Sequence, residues 1–353
     1  MVKLVSIIFA VVLVLSGALV ACGPEEVTTP TTPTTPTTPP HEEVTLELYA
    51  GALGSPPYVI SLAIAEELRV SHPWLRASLL EGIGFGDTLI EMDALPPERK
   101  ARAFCCNGSQ VHIKSAATGL PPYERAYSDI RIVGTVMEGT YGFGTYDPDL
   151  TNPENLRGKT LASMSKFAGP YAIADALLRD AWGIVDDIEI SYLKSDALNA
   201  SLVTGVADFL FPMSISVARG GKFSPDPNTT EIMAARQTYI IGATQADVDK
   251  INAAHPWSVS LKELPKDVLG ENNPPETVNL VTFSTYMMGW ETADPEVVYE
   301  LTKFIAENEE ALSSRARNMP LDIQSLARIA PGDEALVHPG ALRYFEEQGY
   351  EIK

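Results

Sequence analysis

The chain has 353 residues and a formal net charge of −20, from 26 Lys plus Arg against 46 Asp plus Glu. Apolar residues make up 45 % and charged residues 20 %, an ordinary globular balance long enough for about two domains. The acidity argues against a nucleic-acid partner and against a basic membrane patch. Three cysteines are too few for a disulfide scaffold, and the five histidines (His41, His72, His112, His255, His338) form no H-x-x-x-H pair. No metal or cofactor is expected, and no catalytic residue is assigned.

The N-terminus reads as export followed by anchoring. Lys3 precedes an apolar stretch from Leu4 to Ala21, interrupted only by Ser6, Ser16 and Gly17. It ends in Leu19-Val20-Ala21-Cys22-Gly23, which resembles a bacterial lipobox. Residues 1–21 are therefore expected to be a signal peptide, with the Cys22 thiol as the lipidation site. Two or three acyl chains hold a domain stably, since each buried CH₂ adds about 0.8 kcal/mol. Thr28 to Pro40 reads TTPTTPTTPTTPP, a low-complexity run that favours extended polyproline II. Residues 22–43 thus read as linker, reaching roughly 40 Å over the Thr/Pro run.

From Val44 onward strands and helices alternate. Val44–Ala50 and Leu75–Leu80 read as strands, with a helix over Tyr58–Leu68 between them. A short helix begins at Asp87 after three spaced glycines. Arg102–Cys106 is a third strand, Ser109–Thr118 a helix, and Asp129–Glu138 a long strand. Gly142–Tyr146 reads as a separate strand, followed by a short helix at Asn152–Leu156 and a strand at Lys159–Ser163. Gly169–Asp180 is a helix and Ile188–Leu193 a strand. Ser195 is the expected cap of a helix through Val203. Val206–Phe211 is a strand ended by Pro212, and Val278–Met287 is a late strand before helices from Pro295. The stretch 220–273 reads as irregular except for a helix over Gln245–Asn252. Short loops between alternating elements predict an α/β fold with mostly parallel sheets.

Two such units in an exported chain suggest two lobes, with a ligand beyond the carboxyl ends of their strands. The expected division places 44–136 and 290–353 in lobe 1 and 137–289 in lobe 2.

Several motifs carry a family resemblance. Val337-His338-Pro339-Gly340-Ala341-Leu342-Arg343-Tyr344-Phe345 precedes Gly349. Asn155-Leu156-Arg157-Gly158-Lys159 leads into a strand, as does Gly205-Val206-Ala207-Asp208-Phe209. In order and spacing these resemble the TAXI-type solute receptors of TRAP transporters, from about Leu46 to Gly349. The resemblance implies a two-lobed type II periplasmic-binding-protein fold, a small organic anion such as an amino acid or dicarboxylate, and delivery to a membrane permease. The first loop, Gly51 to Tyr58, and the Ser163 to Gly169 loop both depart from the family pattern. A signalling lipoprotein that presents its solute to a sensor kinase is the alternative. No G-x-S-x-G or H-E-x-x-H motif points to an enzyme. A monomer is expected.

Candidate ligand-binding residues follow from loop position. Gly54, Ser55 and Tyr58 lie where the first strand meets a helix start, whose free N–H groups favour a carboxylate. Ser163, Ser165, Lys166 and Phe167 occupy the equivalent loop of the second unit, with Lys166 as a possible cation for an anionic solute. Glu138 and Tyr141 fall where the chain crosses between units. Glu138 is read either as an acceptor for a ligand ammonium or as the partner of a hinge cation. Pro212, with Met213 and Ser214, follows a strand of the second unit. Cys105 and Cys106 are adjacent in a strand, so their thiols are expected free and on opposite faces, one in core and one near the cleft. Asn107 is the better ligand candidate there.

Overall fold

The computed structural model describes residues 42–51, 53, 55–82, 84–218, 222–316 and 326–352. The expected signal peptide, Cys22, the Thr/Pro linker and Gly54 lie outside the described residues. The first elements are β1 (Val44–Tyr49), α1 (Pro56–Ser71), β2 (Leu75–Leu80), α2 (Phe85–Asp93) and α3 (Pro97–Lys100). There follow β3 (Ala103–Ser109), α4 (Gln110–Thr118) and β4 (Ile130–Thr145). The middle of the chain supplies β5 (Thr160–Ser163), α5 (Gly169–Ala176), β6 (Glu189–Tyr192), α6 (Ser195–Val203) and β7 (Phe209–Ala218). Then come β8 (Lys222–Pro225), α7 (Pro227–Ala235), β9 (Tyr239–Ile241), α8 (Gln245–Ala254), β10 (Ser260–Leu264) and β11 (Val278–Trp290). The last helices are α9 (Pro295–Glu307), α10 (Glu309–Arg315) and α11 (Pro339–Glu347).

The sheet runs in the order β2-β1-β3-β11-β4-β7-β5-β6, with β10, β8 and β9 paired to β11, β7 and β4. Its two ends are parallel: β1 pairs β2 and β3, and β5 pairs β6 and β7. Its centre is antiparallel, where β11 and β4 pair with each other and with their outer neighbours β3 and β7. Parallel strands need cover on both faces, and the cores show that cover. At one end Phe104 and Cys106 enter one hydrophobic cluster while Ala103 and Cys105 enter another. At the other end Leu161, Phe209 and Phe211 enter a third cluster, and Ala162 and Leu210 a fourth. The period of two puts successive residues on opposite faces. The adjacent thiols are free, buried and split between two cores. Neither faces the cavity described below, so the expectation of one near a cleft is corrected.

Three segments differ from the expectation for physical reasons. The predicted strands Asp129–Glu138 and Gly142–Tyr146 are one continuous strand, β4, because its glycines are pressed between neighbouring strands rather than placed in a turn. Pro212 does not end its strand. It sits in β7 where the pairing with β4 shifts register between Gly142 and Gly144, so its missing N–H leaves no gap in the ladder. Ser195 is the first helical residue of α6, and Lys194 is the N-cap. The region 220–273 is also more ordered than expected, holding β8, α7, β9 and β10 besides α8.

The His338-Pro339-Gly340 motif has a structural role. His338 Nδ1 accepts the Gly340 N–H at 3.1 Å, which caps α11, and the His338 N–H donates to Ile132 O at 2.8 Å. Burial pushes this imidazole below its ordinary pKa, keeping it the neutral acceptor that the cap requires. Truncation of a buried ring tests the core packing. Phe143 is fully buried among Phe209, Phe211 and Trp182. Phe143→Ala should cost about 3–5 kcal/mol in a urea unfolding titration; a loss below 1 kcal/mol would contradict this packing.

Candidate functional site

A cavity of 410 Å³ opens where the parallel strands end. Loops after β1 (Gly51, Leu53, Ser55), β2 (Gly84) and β5 (Met164, Ala168) contribute to its wall, as do Asn107 and Ser109 at the end of β3. The middle of the two central strands forms the floor, through Met137 and Tyr141 of β4 and Phe283 and Thr285 of β11. Pro212 and Ser214 of β7, Leu198 of α6 and the Asp226-Pro227-Asn228 start of α7 complete it. Tyr141 and Phe283 stack with ring centroids 4.8 Å apart and planes 20° from parallel. A 460 Å³ recess on the sheet edge near Thr45 and Arg102 is a weaker candidate, because its Glu47–Arg99 pair already closes on itself at 2.7 Å.

Helix starts converge on this cavity. The N-caps of α1 (Ser55), α2 (Gly84), α4 (Ser109) and α5 (Ala168) all line it, and none takes a side-chain hydrogen bond from its first turn. The first N–H groups of a helix have no internal acceptor, and the helix dipole adds partial positive charge there. The Ser55 and Ser109 hydroxyls are buried without a hydrogen-bond partner. The starts of α4 and α5 are in direct contact: a Cβ added at Gly169 would lie 2.7 Å from Ser109 Cβ. Only glycine fits that approach.

The sequence-derived candidates divide. Ser55, Asn107, Tyr141 and Pro212 line the cavity. Tyr58, Glu138, Ser163, Ser165, Lys166 and Phe167 are not among its lining residues. Glu138 alternates with Met137 onto the other face of β4 and pairs with Arg328 at 3.3 Å, the hinge-cation alternative. Ser163 is fully buried at the end of β5. Ser165 and Lys166 are exposed, and the Ser165 hydroxyl accepts the Phe167 N–H at 3.3 Å. The Phe167 ring packs against Gly86, tying this loop to the start of α2. Lys166 therefore supplies no cation to the cavity wall.

Asp226 and the Phe283–Thr285 segment were absent from the sequence-derived set. The Phe283 contact joins residues far apart in sequence, which no local pattern reveals. Asp226 carried a usable signal: Asp followed by Pro and, three residues on, Thr is a helix-start pattern.

Comparison with known proteins adds the family. The profile of the NMT1-like family matches residues 103–349. The chain belongs to the NMT1-like family. A search of curated proteins finds no match. Among solved structures, this NMT1-like chain is similar to MatC from Rhodopseudomonas palustris with bound malate, at 12 % identity and a TM-score of 0.50, over 86 % of this chain and 95 % of that one. It is also similar to the periplasmic aliphatic sulphonate binding protein SsuA from Escherichia coli, at 14 % identity and a TM-score of 0.44, over 80 % and 81 %. Its fold is the α/β periplasmic-binding-protein fold, with a mixed sheet flanked by helices.

Behind the cavity wall, His112 of α4 is buried and its Nδ1 lies 2.8 Å from the Tyr123 hydroxyl. Burial pushes its pKa down to about 4, partly offset by the Ala168 backbone. A depressed folded pKa gives stability that is present above the unfolded value and lost as pH falls through the folded one. Between pH 6.5 and 4 the chain should therefore lose about 3 kcal/mol through this group. Unfolding titrations of wild type and His112→Gln across that range measure it. The gap between them should shrink toward pH 4; a constant gap would contradict the buried neutral imidazole.

Proposed function

We propose that this chain is an extracytoplasmic, lipid-anchored solute receptor that captures a small organic acid, an amino acid or dicarboxylate-like solute, and delivers it to a TRAP-type permease. The observation that carries this reading is the convergence of four uncapped helix starts on one cavity at the carboxyl ends of the parallel strands. Their N–H groups suit a carboxylate, and the low-dielectric surroundings of a closed cleft would strengthen each hydrogen bond to it. The malate bound to MatC, a protein of the same fold, is consistent with an acid of this size.

We take the two lobes to be 44–136 with 290–353, and 137–289, each built around one pair of cores, with Met137, Tyr286, Met287 and Met288 at the crossing packed into the cores of the first. A solute touching both binds the closed arrangement better and shifts the open–closed population toward it. The permease then reads the closed shape. The anchor is Cys22, after a signal peptide over 1–21, with the Thr/Pro run as a stalk. TRAP partnership rests on the motif order from Leu156 to Gly349.

Thermal melting of the chain against amino acids, dicarboxylates, 2-oxoacids and neutral sugars tests the reading. A solute at 100 times its Kd should add about 2.7 kcal/mol, a shift of several degrees. One acid class should shift the melt saturably, and Ser55→Ala should weaken that shift. Silence from refolded, ligand-free protein across the panel, or a response to neutral sugars alone, would overturn the organic-acid receptor.

A further inference from the structure

Among the described residues the cavity is lined by one carboxylate and by no cation to meet it. Asp226 lies on the wall at the start of α7, where its Oδ1 accepts the Thr229 N–H at 2.6 Å. The Thr229 hydroxyl accepts the Ser214 N–H at 3.0 Å, which fastens this cap to the cavity strand β7. Among the described residues no Lys, Arg or His lines the cavity, and none forms an ion pair with Asp226. Burial raises its carboxyl pKa. Tyr141 and Asp226 line the same cavity, and the Tyr141 hydroxyl is pushed up by its own burial and then by the Asp226 charge. Asp226 is half-buried, and its described partners, the Thr229 N–H and hydroxyl and the Asn228 N–H, are neutral donors, so its charge still favours a cation. An added cation in the cavity would meet that charge beside the Tyr141–Phe283 pair, which also lines it.

We propose that Asp226 receives a protonated amine of the solute, so that the cavity selects amino-bearing acids over acids that lack the amine. The inference rests on the receptor reading above: the acid end lies against the helix starts of α1, α2, α4 and α5, and the amine lies against Asp226. The expectation that Lys166 or Glu138 reads the solute's charge gives way to Asp226, the one acid among the described lining residues. The stacked aromatic pair and Met137 and Met164 take the apolar body.

The test uses the full-length chain and matched probes, each amino acid against its deaminated acid: alanine and propionate, leucine and 4-methylpentanoate, glutamate and glutarate. Isothermal titration at pH 7 should give at least tenfold tighter binding to the amino-bearing member of the best pair, about 1.4 kcal/mol. Asp226→Asn keeps a competent helix cap, because Asn and Asp serve equally well there. It should weaken the amino-bearing probe at least tenfold and change the deaminated one less than twofold. Equal binding within the wild-type pairs would overturn the proposal whether or not the variant folds, while leaving the organic-acid receptor standing. An unchanged preference in folded Asp226→Asn would overturn it equally. Binding by no member of any pair would remove the receptor reading for these acids, and the amine contact with it.

Discussion

Everything in this fold hangs on the antiparallel ladder between β4 and β11. They are the longest strands described, 16 and 13 residues, and they lie side by side at the centre of the sheet. Each passes from one set of cores to the other. β4 gives Ile130, Val133 and Val136 to the cores of one end and Tyr141 and Phe143 to the other end. β11 likewise gives Met287 and Trp290 to one end and Leu280, Val281 and Phe283 to the other. The cavity sits where the two strands leave one set of cores and enter the next. A slip of one residue in their register would turn Tyr141 and Phe283 away from it.

That placement sets the chemistry. The parallel strands on both sides end at the cavity, so the helices that follow them begin there. Four of those starts carry no side-chain cap, and their first N–H groups are left for something else to satisfy. Asp226 is the contrasting case: α7 is capped, and the capping carboxylate itself faces the cavity. The cavity lining thus offers donors at the four helix starts and an acceptor at Asp226. On the amine proposal, a solute carrying both an acid and an amine complements these two features together.

Strands bounded by turn residues were legible in the sequence. β2 falls at Leu75–Leu80 as the alternation predicts, and β1 differs by one residue at its end. What failed was the splitting of β4 into two strands and the reading of Pro212 as a stop. The break fell between Glu138 and Gly142, yet the strand continues there, and a Cβ at Gly142 would lie 2.7 Å from a Leu280 methyl, and one at Gly144 2.5 Å from Met213 Cγ. They are sites of close strand packing, and only the tertiary partners reveal that. Loop position found Ser55, Asn107, Tyr141 and Pro212 on the cavity wall. It also drew in Lys166 and Glu138, because spacing says nothing about which way a loop cation points or which face of β4 is inward. The α7 start was passed over inside a segment read as irregular, although Asp226-Pro227 and Thr229 carry a cap pattern.

The central claim is that a small solute occupies the cavity over β4 and β11. Native mass spectrometry of gently purified full-length chain tests it most directly, with Leu198→Trp as the comparison because that side chain would fill the cavity from α6. The account predicts a bound small molecule on the wild type and none on a Leu198→Trp variant that melts cooperatively. The same molecule retained on the folded variant would place the binding site elsewhere and contradict the account.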